Sequence, residues 1–198
     1  MATAADFKKL GRWIDLYLAR HGPCLDRYLG HFDDNEMPIE TAIDEAVRGK
    51  GKKIHPHQRH IGEKRLAVVA KQLGKIKDEI RHAKSFDDLH GCIRDFVDEH
   101  KLKGFGPVAI YDTALRLASR LGCPPEGVYL HAGAKEGYRK KFKRLLPTVE
   151  ASGNKLDWRP VPPGWERLKD AHHVENFLCI FKDGEPKSCA PSECCDAS

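Results

Sequence analysis

A short glycine- and lysine-rich segment of the chain has the composition of an anion-binding turn. It reads KLKGFGP at positions 101–107 and lies between two stretches of helical periodicity. Glycines permit backbone geometry that other residues resist and let the chain approach a ligand closely. The N–H groups that open the following helix favour a negative charge. The segment is therefore a candidate phosphate-binding turn. The alternative is a tight helix-to-helix turn that needs its glycines only for geometry.

Two segments hold most of the excess of basic over acidic residues. The chain has 34 basic and 29 acidic residues, and its net charge is +5. Segments 48–65 and 135–144 each contain one acidic residue, Glu63 and Glu136. Their cations are Arg48, Lys50, Lys52, Lys53, Arg59, Lys64 and Arg65 in the first, and Lys135, Arg139, Lys140, Lys141, Lys143 and Arg144 in the second. Such clustering is typical of a protein that binds a polyanion. A solvated basic surface without a partner is the alternative.

Histidines and cysteines provide weak candidates for a metal site. The imidazoles of His55, His57 and His60 suit Zn²⁺, but the loop lacks a clear fourth ligand. Four of the seven cysteines crowd the C-terminus with the spacing Cys-x9-Cys-x4-Cys-Cys. These are Cys179, Cys189, Cys194 and Cys195. Adjacent cysteines fit one small metal centre poorly, so we expect no stoichiometric zinc or iron and no cofactor.

Three side chains are candidates for acid–base chemistry. Asp112 lies one helical turn before Arg116, and we expect the two to pair. His131 lies within a segment of small residues at 127–137, and Glu126 directly precedes that segment. A capping role for Asp112 and a structural role for His131 are the alternatives. Because the sequence contains no Walker loop, Ser-His-Asp order or paired-carboxylate signature, it does not establish a reaction.

The elements that must position these groups are mainly helices. The predicted helices, from periodicity and from breaking residues, cover 5–20, 38–48, 66–83, 86–100 and 108–121, with a basic helix ending near Leu146. Leu102 and Phe105 are expected to be buried between the two helices that flank the turn. Segment 49–60 contains two glycines, a proline and dense positive charge, which predicts a loop with no stable element. The apolar run at 177–181 fits a buried strand or the end of a helix.

We predict a mainly α fold with two parts. Residues 1–147 form a helical domain, and residues 148–198 form an extended segment that packs on it, with a flexible tail at 187–198. No apolar run approaches the ~20 residues that a membrane span needs. The N-terminus also lacks the apolar core of a secretory signal. We therefore expect a soluble cytoplasmic protein that does not bind membranes.

The region around the turn resembles the helix-hairpin-helix motif of DNA-repair proteins, including the base-excision DNA glycosylases. The resemblance covers residues 86–121. It implies contact with the DNA backbone, and in the glycosylases it also implies a catalytic Asp beyond the hairpin. Here Tyr129 occupies that position, and the nearby acid is Glu126.

Two further features depart from the glycosylase pattern. Pro107 and Val108 stand where the bifunctional members carry a lysine. The four late cysteines do not have the spacing of the iron–sulfur loop found in endonuclease-III-like members. Both departures weaken the prediction of glycosylase chemistry while leaving the prediction of backbone binding in place.

The leading hypothesis is a DNA-binding protein of repair or processing that grips the phosphate backbone without strong sequence preference, with DNA favoured over RNA as partner. The residues predicted to contact nucleic acid are Lys50, Lys52, Lys53, Arg59, Lys101, Lys103, Gly104, Gly106, Val108 and Lys140. One alternative is a divergent glycosylase-like enzyme that uses Glu126, Asp112 or His131. Another is a protein-interaction or metal-binding helical module in which the glycines are purely structural.

Overall fold

The computed structural model describes residues 2–146, 151, 152, 154–157, 161 and 164–186, and for Lys52, Ala151 and Ser152 it describes the backbone only. The fold is mainly helical, as predicted. The helices are α1 (Ala4–Arg20), α2 (Gly22–Gly30), α3 (Ile39–Arg48), α4 (Glu63–Leu73), α5 (Lys77–His82), α6 (Phe86–Glu99), α7 (Pro107–Leu121), α8 (Ala132–Gly137) and α9 (Ala171–Ile180). Among the described residues, no helix combines the length and apolarity needed to cross a membrane.

Three strands of two residues each complete the regular structure. They are β1 (Val128–Tyr129), β2 (Ala151–Ser152) and β3 (Lys155–Leu156). The strand β3 lies between the other two and pairs antiparallel with both, with Leu156 opposite Val128 on one side and Ala151 on the other.

The chain forms two compact units. The hairpin unit covers Cys24–Pro124, and the terminal unit joins the N-terminal segment up to Pro23 with the described residues between Pro125 and Pro186. The predicted boundary near residue 147 does not coincide with this division, because α1 shares a core with helices that follow Pro125. The predicted tail at 187–198 lies outside the described residues.

An aromatic cluster forms the core of the terminal unit. Tyr17 of α1 packs edge-on against Phe177 of α9, with ring centroids 5.7 Å apart. Phe142 packs against Trp13, Trp165 and Phe177 at centroid distances of 5.3–5.9 Å. Trp165, from the C-terminal segment, is fully buried.

The hairpin unit buries the apolar stripes of α3, α4, α6 and α7. Its core residues include Ile43, Leu66, Phe86, Ile93 and Leu117, each at most 2% exposed. Ser85 caps α6 by accepting a hydrogen bond from the Asp88 N–H at 3.1 Å. This stabilises the start of the helix that leads into the KLKGFGP turn.

Three local predictions need correction. The predicted helix at 66–83 is broken by a 3₁₀ turn at Gly74–Ile76, and the predicted loop at 49–60 contains 3₁₀ turns at Lys50–Lys52 and Pro56–Ile61. In place of the predicted basic helix, the chain forms a π-helical turn, Tyr138–Phe142, that follows directly on α8. The apolar run at 177–181 belongs almost entirely to α9, so it is the end of a helix, one of the two predicted alternatives.

Candidate nucleic-acid interface

The turn between α6 and α7 begins with a Schellman motif. The Leu102 N–H donates to the Val97 carbonyl at 3.1 Å, and the Lys101 N–H donates to the Asp98 carbonyl at 3.2 Å. Lys101 has φ = 50°, the left-handed conformation that glycine usually provides at this position. The motif turns the chain sharply away from α6.

Only one of the two glycines requires its conformational freedom. Gly104 has φ = 86°, which L side chains rarely adopt. Gly106 has φ = −85° and ψ = −174°, an extended conformation open to any residue, and a Cβ there would meet nothing within 4 Å. Backbone geometry therefore requires glycine at position 104 and does not require it at position 106.

The start of α7 is uncapped. Gly106 is its N-cap and provides no side-chain acceptor, and Pro107 occupies the first turn. The N–H groups of Val108 and Ala109 lie in that first turn, where an α-helix offers no intrahelical acceptor. Together with the helix dipole, they favour an anion at this end of α7.

Apolar contacts anchor the turn from beneath. Phe105 is 2% exposed, and its N–H donates to the Leu102 carbonyl at 3.2 Å. Leu102 is half-buried, so the prediction of full burial is confirmed for Phe105 alone. The side chains of Lys101 and Lys103 are exposed and make no ion pair among the described residues. The buried Phe105 thus fixes the position of a turn that carries two exposed cations.

A cation from the first basic segment reaches this turn. The Arg65 Nη1 atom lies 3.7 Å from the position that a Cβ on Gly104 would occupy. Arg65 is exposed at the start of α4. We name the surface formed by Lys101, Lys103, Gly104, Gly106 and Arg65 the hairpin face. It joins the two sequence-predicted features, the turn and the end of the segment 48–65.

The remaining cations of that segment have varied surroundings. Arg48 donates to Asp44 at 3.4 Å and to Glu63 at 3.1 Å, so its charge is neutralised. The backbone of the Lys50–Lys52 turn is held by a hydrogen bond from the Gly51 N–H to Glu45 Oε1. Lys53 and Arg59 are exposed and Lys50 is half-buried, while the Lys52 side chain lies outside the described atoms.

A histidine–aspartate pair links the same segment to α7. His57 Nδ1 lies 3.2 Å from Asp112 Oδ2, and the His57 side chain is about half exposed (51%). The buried Arg116 lies 3.9 Å from the same oxygen, as the predicted pairing requires. Arg116 also donates to the Ala46 carbonyl and to Gln58 Oε1. The hydrogen bond with Asp112 orients the His57 imidazole, and its Nε2 atom is then the ring nitrogen that can act on a ligand.

Burial and neighbouring charges shift the pKa values of His57, Asp112 and His55 in different directions. The hydrogen bond to Asp112 raises the pKa of His57 above its usual value. Burial alone would raise the pKa of Asp112, but the His57 hydrogen bond and the Arg116 charge outweigh it and hold that pKa at about 2. Burial, aided by Arg116, lowers the pKa of His55 to about 3. At neutral pH the cluster therefore contains an ionised Asp112 and an uncharged His55.

The same cluster includes a possible set of metal ligands. One ligand atom each from His55, His57 and Asp112 lie within 4.8 Å of one another. His60, which the sequence grouped with the two histidines, is exposed and outside this set. The Arg116 guanidinium beside Asp112 opposes a bound cation, and Asp112 is already engaged by His57.

The other sequence-predicted site residues do not join the hairpin face. Lys140 belongs to the terminal unit and pairs with Glu136. Glu126 is exposed in that unit, and His131 Nδ1 lies 3.7 Å from Glu175 Oε1. Cys179 is half-buried on α9. The remaining cysteine candidates Cys189, Cys194 and Cys195 lie outside the described residues.

Sequence reasoning missed the partner of Asp112. It paired Asp112 with Arg116 and assigned His57 to a metal-binding or solvated loop. No spacing rule connects positions 57 and 112, which are 55 residues apart. The available signal was an acid expected on a buried helix face beside a histidine-rich loop. No family model matches this chain, and neither the curated proteins nor the solved structures include a significant match to it.

Proposed function

We propose that this protein binds nucleic acid by gripping the phosphate backbone with the hairpin face, without strong sequence preference. The observation that carries the proposal is the approach of Arg65 to Gly104. It supports a single contact surface made from two segments distant in sequence. The resemblance of residues 86–121 to the helix-hairpin-helix motif favours DNA over RNA.

The electrostatics of the hairpin face support a phosphate ligand. Lys101, Lys103 and Arg65 are exposed, and none makes an ion pair among the described residues. Lys101 and Lys103 belong to the turn that leads into the uncapped start of α7, a 15-residue helix, and Arg65 approaches that turn at Gly104. Cations fix a phosphate by charge, and backbone N–H groups fix it by direction, without reading the bases.

A Gly106→Val variant tests the proposal with little risk to the fold. Gly106 is already extended, and a Cβ there meets nothing within 4 Å, so the backbone tolerates valine. The new side chain would occupy the space through which a phosphate approaches α7. Measured by fluorescence anisotropy on duplex DNA at low salt, affinity should fall by about tenfold or more, the value of a lost charge-assisted contact.

Gly91→Val is the matched control, because Gly91 lies within α6 and a Cβ there meets only Arg94 Nη2, at 4.0 Å. It should bind like the parent. Circular dichroism and thermal melting verify that both variants are folded. A folded Gly106→Val protein with parental affinity would show that the turn at 101–107 does not contact DNA.

The His57–Asp112 pair favours a second candidate, an enzyme acting on the bound nucleic acid. An aspartate that orients a partly exposed imidazole is a common arrangement for a general acid or base. The pair places Asp112 in an orienting role, since its carboxylate is bound by His57 and faces Arg116. The glycosylase alternative, with Asp112 as the acting acid, is less well supported by this geometry.

End-labelled duplexes, either undamaged or with an abasic site, test this candidate on denaturing gels. Products should form with the parent and with His60→Ala, and should be lost with His57→Ala. If the parent forms no product, or if His57→Ala forms as much as the parent, the enzymatic candidate is wrong and the binding function is unaffected.

A further inference from the structure

The terminal unit contains a basic cavity that the proposed nucleic-acid interface does not use. Its volume is about 530 Å³, within the range of small-molecule sites. One wall is α1, and the other is the π-helical turn Tyr138–Phe142 with the residues that follow it. Most of the positive charge of segment 135–144 lines this cavity.

The charge of the lining is strongly one-sided. Its cations are Lys9, Arg139, Lys140, Lys141, Lys143 and Arg144, and its acid is Asp6. Lys140 is neutralised by Glu136, to which Lys182 also pairs at 3.5 Å. The other four cations of the π-helical wall make no ion pair among the described residues. Cations that line one space, with Asp6 as the acid of the lining and no ion pair in the described part of the chain, repel each other, and an anion in that space would relieve the repulsion.

A cation of the α1 wall lies over a buried indole. Trp13 lines the cavity and is 5% exposed. The Lys9 ammonium lies 4.7 Å from the centre of the Trp13 ring, so this charge is held against the ring at the edge of the cavity.

The π-helical turn shapes the second wall. The Lys143 N–H donates to the Tyr138 carbonyl at 2.8 Å, a bond across five residues. The fully buried Phe142 fixes this turn to the core by an edge-on contact with Trp13 at 5.9 Å. Arg139, Lys143 and Arg144 are thereby held on one side of the cavity and Lys9 on the other. Such π-helical turns are rare and frequently mark functional sites.

We propose that this cavity binds a small molecule with two or more linked phosphate groups. A single phosphate needs fewer cations than the two walls present. A nucleic-acid backbone is contacted along an extended surface, whereas this space is confined between two walls. Trp13 is too buried to stack on a base. A compact polyphosphate satisfies the cations of both walls.

Isothermal titration of the full chain with inorganic tripolyphosphate at low salt tests the proposal. We expect binding with one site per chain and much weaker binding of orthophosphate. The double variant Lys9→Ala/Arg144→Ala should bind tripolyphosphate about tenfold more weakly or worse. The matched control Lys8→Ala/Lys135→Ala removes the same charge from the same unit outside the cavity lining and should bind like the parent.

Asp6→Asn should strengthen tripolyphosphate binding, whereas the loss of lining cations weakens it. The Asp6 carboxylate repels an anion in the cavity, so its neutralisation should tighten tripolyphosphate binding. A purely structural role in the cap of α1, where Asp6 accepts a hydrogen bond from the Thr3 N–H, would give no such gain. In ¹⁵N NMR spectra the Trp13 indole N–H peak, identified by its absence from Trp13→Phe, should shift on binding.

Adenosine triphosphate in place of tripolyphosphate distinguishes the two sources of linked phosphates. Tighter binding of the nucleotide assigns the site to a nucleoside polyphosphate, and equal or weaker binding assigns it to the phosphate chain alone. Absence of tripolyphosphate binding, or equal binding by the two double variants, overturns the proposal. So does loss of duplex DNA binding in Lys9→Ala/Arg144→Ala without loss of tripolyphosphate binding, because the cavity wall would then belong to a nucleic-acid surface.

Discussion

The histidine–aspartate pair of the hairpin unit depends on a single carboxylate. Asp112 accepts from His57 and raises the pKa of that imidazole, while burial and the nearby Arg116 lower it. The charge on His57 near neutral pH is therefore controlled by Asp112. A cationic His57 adds one positive charge to the hairpin unit.

Asp112→Asn should lower the pKa of His57, because the amide keeps the shape of the carboxylate but loses its charge. Burial and Arg116 would then act unopposed. A pH titration of the His57 ring followed by NMR measures the change. The matched variant Asp44→Asn removes an acid that pairs with Arg48 instead, and should leave the His57 titration in place. An unchanged pKa in Asp112→Asn would contradict the pairing.

His55 should make the protein sensitive to mild acid. Its folded pKa of about 3 is below the unfolded value of about 6.5, so the unfolded state binds a proton that the folded state does not. Stability should therefore fall as the pH drops below about 6.5, by at most about 1.4 kcal/mol per pH unit from this group.

The window from about pH 6 to 4.5 separates His55 from His57 and Asp112. His21, whose pKa burial also lowers, contributes equally in the parent and in a His55 variant, so the comparison of the two reports on His55. His57 has a raised folded pKa, so its stabilising contribution is present throughout that window and is lost only at higher pH. Asp112, whose folded pKa is about 2, contributes stability that is lost only below its unfolded value of 3.8. In denaturant unfolding, His55→Asn should show a shallower pH dependence than the parent. His82→Asn, on the exposed face of α5, should not.

At the scale of elements, the turn between α6 and α7 contains a residue in an unfavourable conformation. Lys101 adopts φ = 50° at the position where a Schellman motif prefers glycine. Lys101→Gly should raise the free energy of unfolding by about 0.5–1 kcal/mol while it weakens DNA binding, since it removes a cation of the hairpin face. Lys103→Gly, in the same turn without positive φ, should weaken binding with no gain in stability. A destabilised Lys101→Gly protein would count against the turn geometry.

Two glycines of α8 allow it to pack closely on α9. A Cβ on Gly137 would lie 2.0 Å from the Leu178 carbonyl oxygen, which is backbone and cannot move easily. Gly137→Ala should therefore destabilise the terminal unit by about 2 kcal/mol or more. A Cβ on Gly133 would instead meet the Cys179 Sγ at 2.5 Å, a side-chain atom.

Gly133→Ala should therefore destabilise the terminal unit less than Gly137→Ala does. Adding Cys179→Ala to Gly133→Ala should restore part of the lost stability, because it removes the clashing sulfur. Thermal melting of the three variants checks this order. Equal melting temperatures for Gly137→Ala and the parent would show that the helices are not packed as described.

Local sequence patterns predicted the helices well and their interruptions poorly. The apolar stripes of α1, α6 and α7 are long and regular, so their positions could be predicted. The break at Gly74–Ile76 and the π-helical turn Tyr138–Phe142 depend on tertiary packing, and strands of two residues leave no periodic signal. The turn at 101–107 was predictable because glycine and lysine have local effects. The contacts of Arg65 with this turn and of His57 with Asp112 join distant segments and could not be predicted.

At the scale of the whole molecule, the net charge of +5 understates the local fields. The two basic segments lie in different compact units, one beside the hairpin face and the other around the basic cavity. We therefore infer one anion site in each unit. Lys140 was predicted to contact nucleic acid together with the hairpin residues. It lies in the terminal unit and lines the basic cavity.

The salt dependence of DNA binding tests the central claim most directly. Each phosphate neutralised by a cation contributes a slope of about −0.9 in log K against log salt. The parent should bind duplex DNA with a steep slope, and Lys103→Ala and Arg65→Ala should each flatten it by about one contact, for different sequences alike. Lys71→Ala, an exposed cation farther along α4 from Arg65, should keep the parental slope. If folded Lys103→Ala and Arg65→Ala proteins keep the parental affinity and slope, the hairpin face does not bind the backbone.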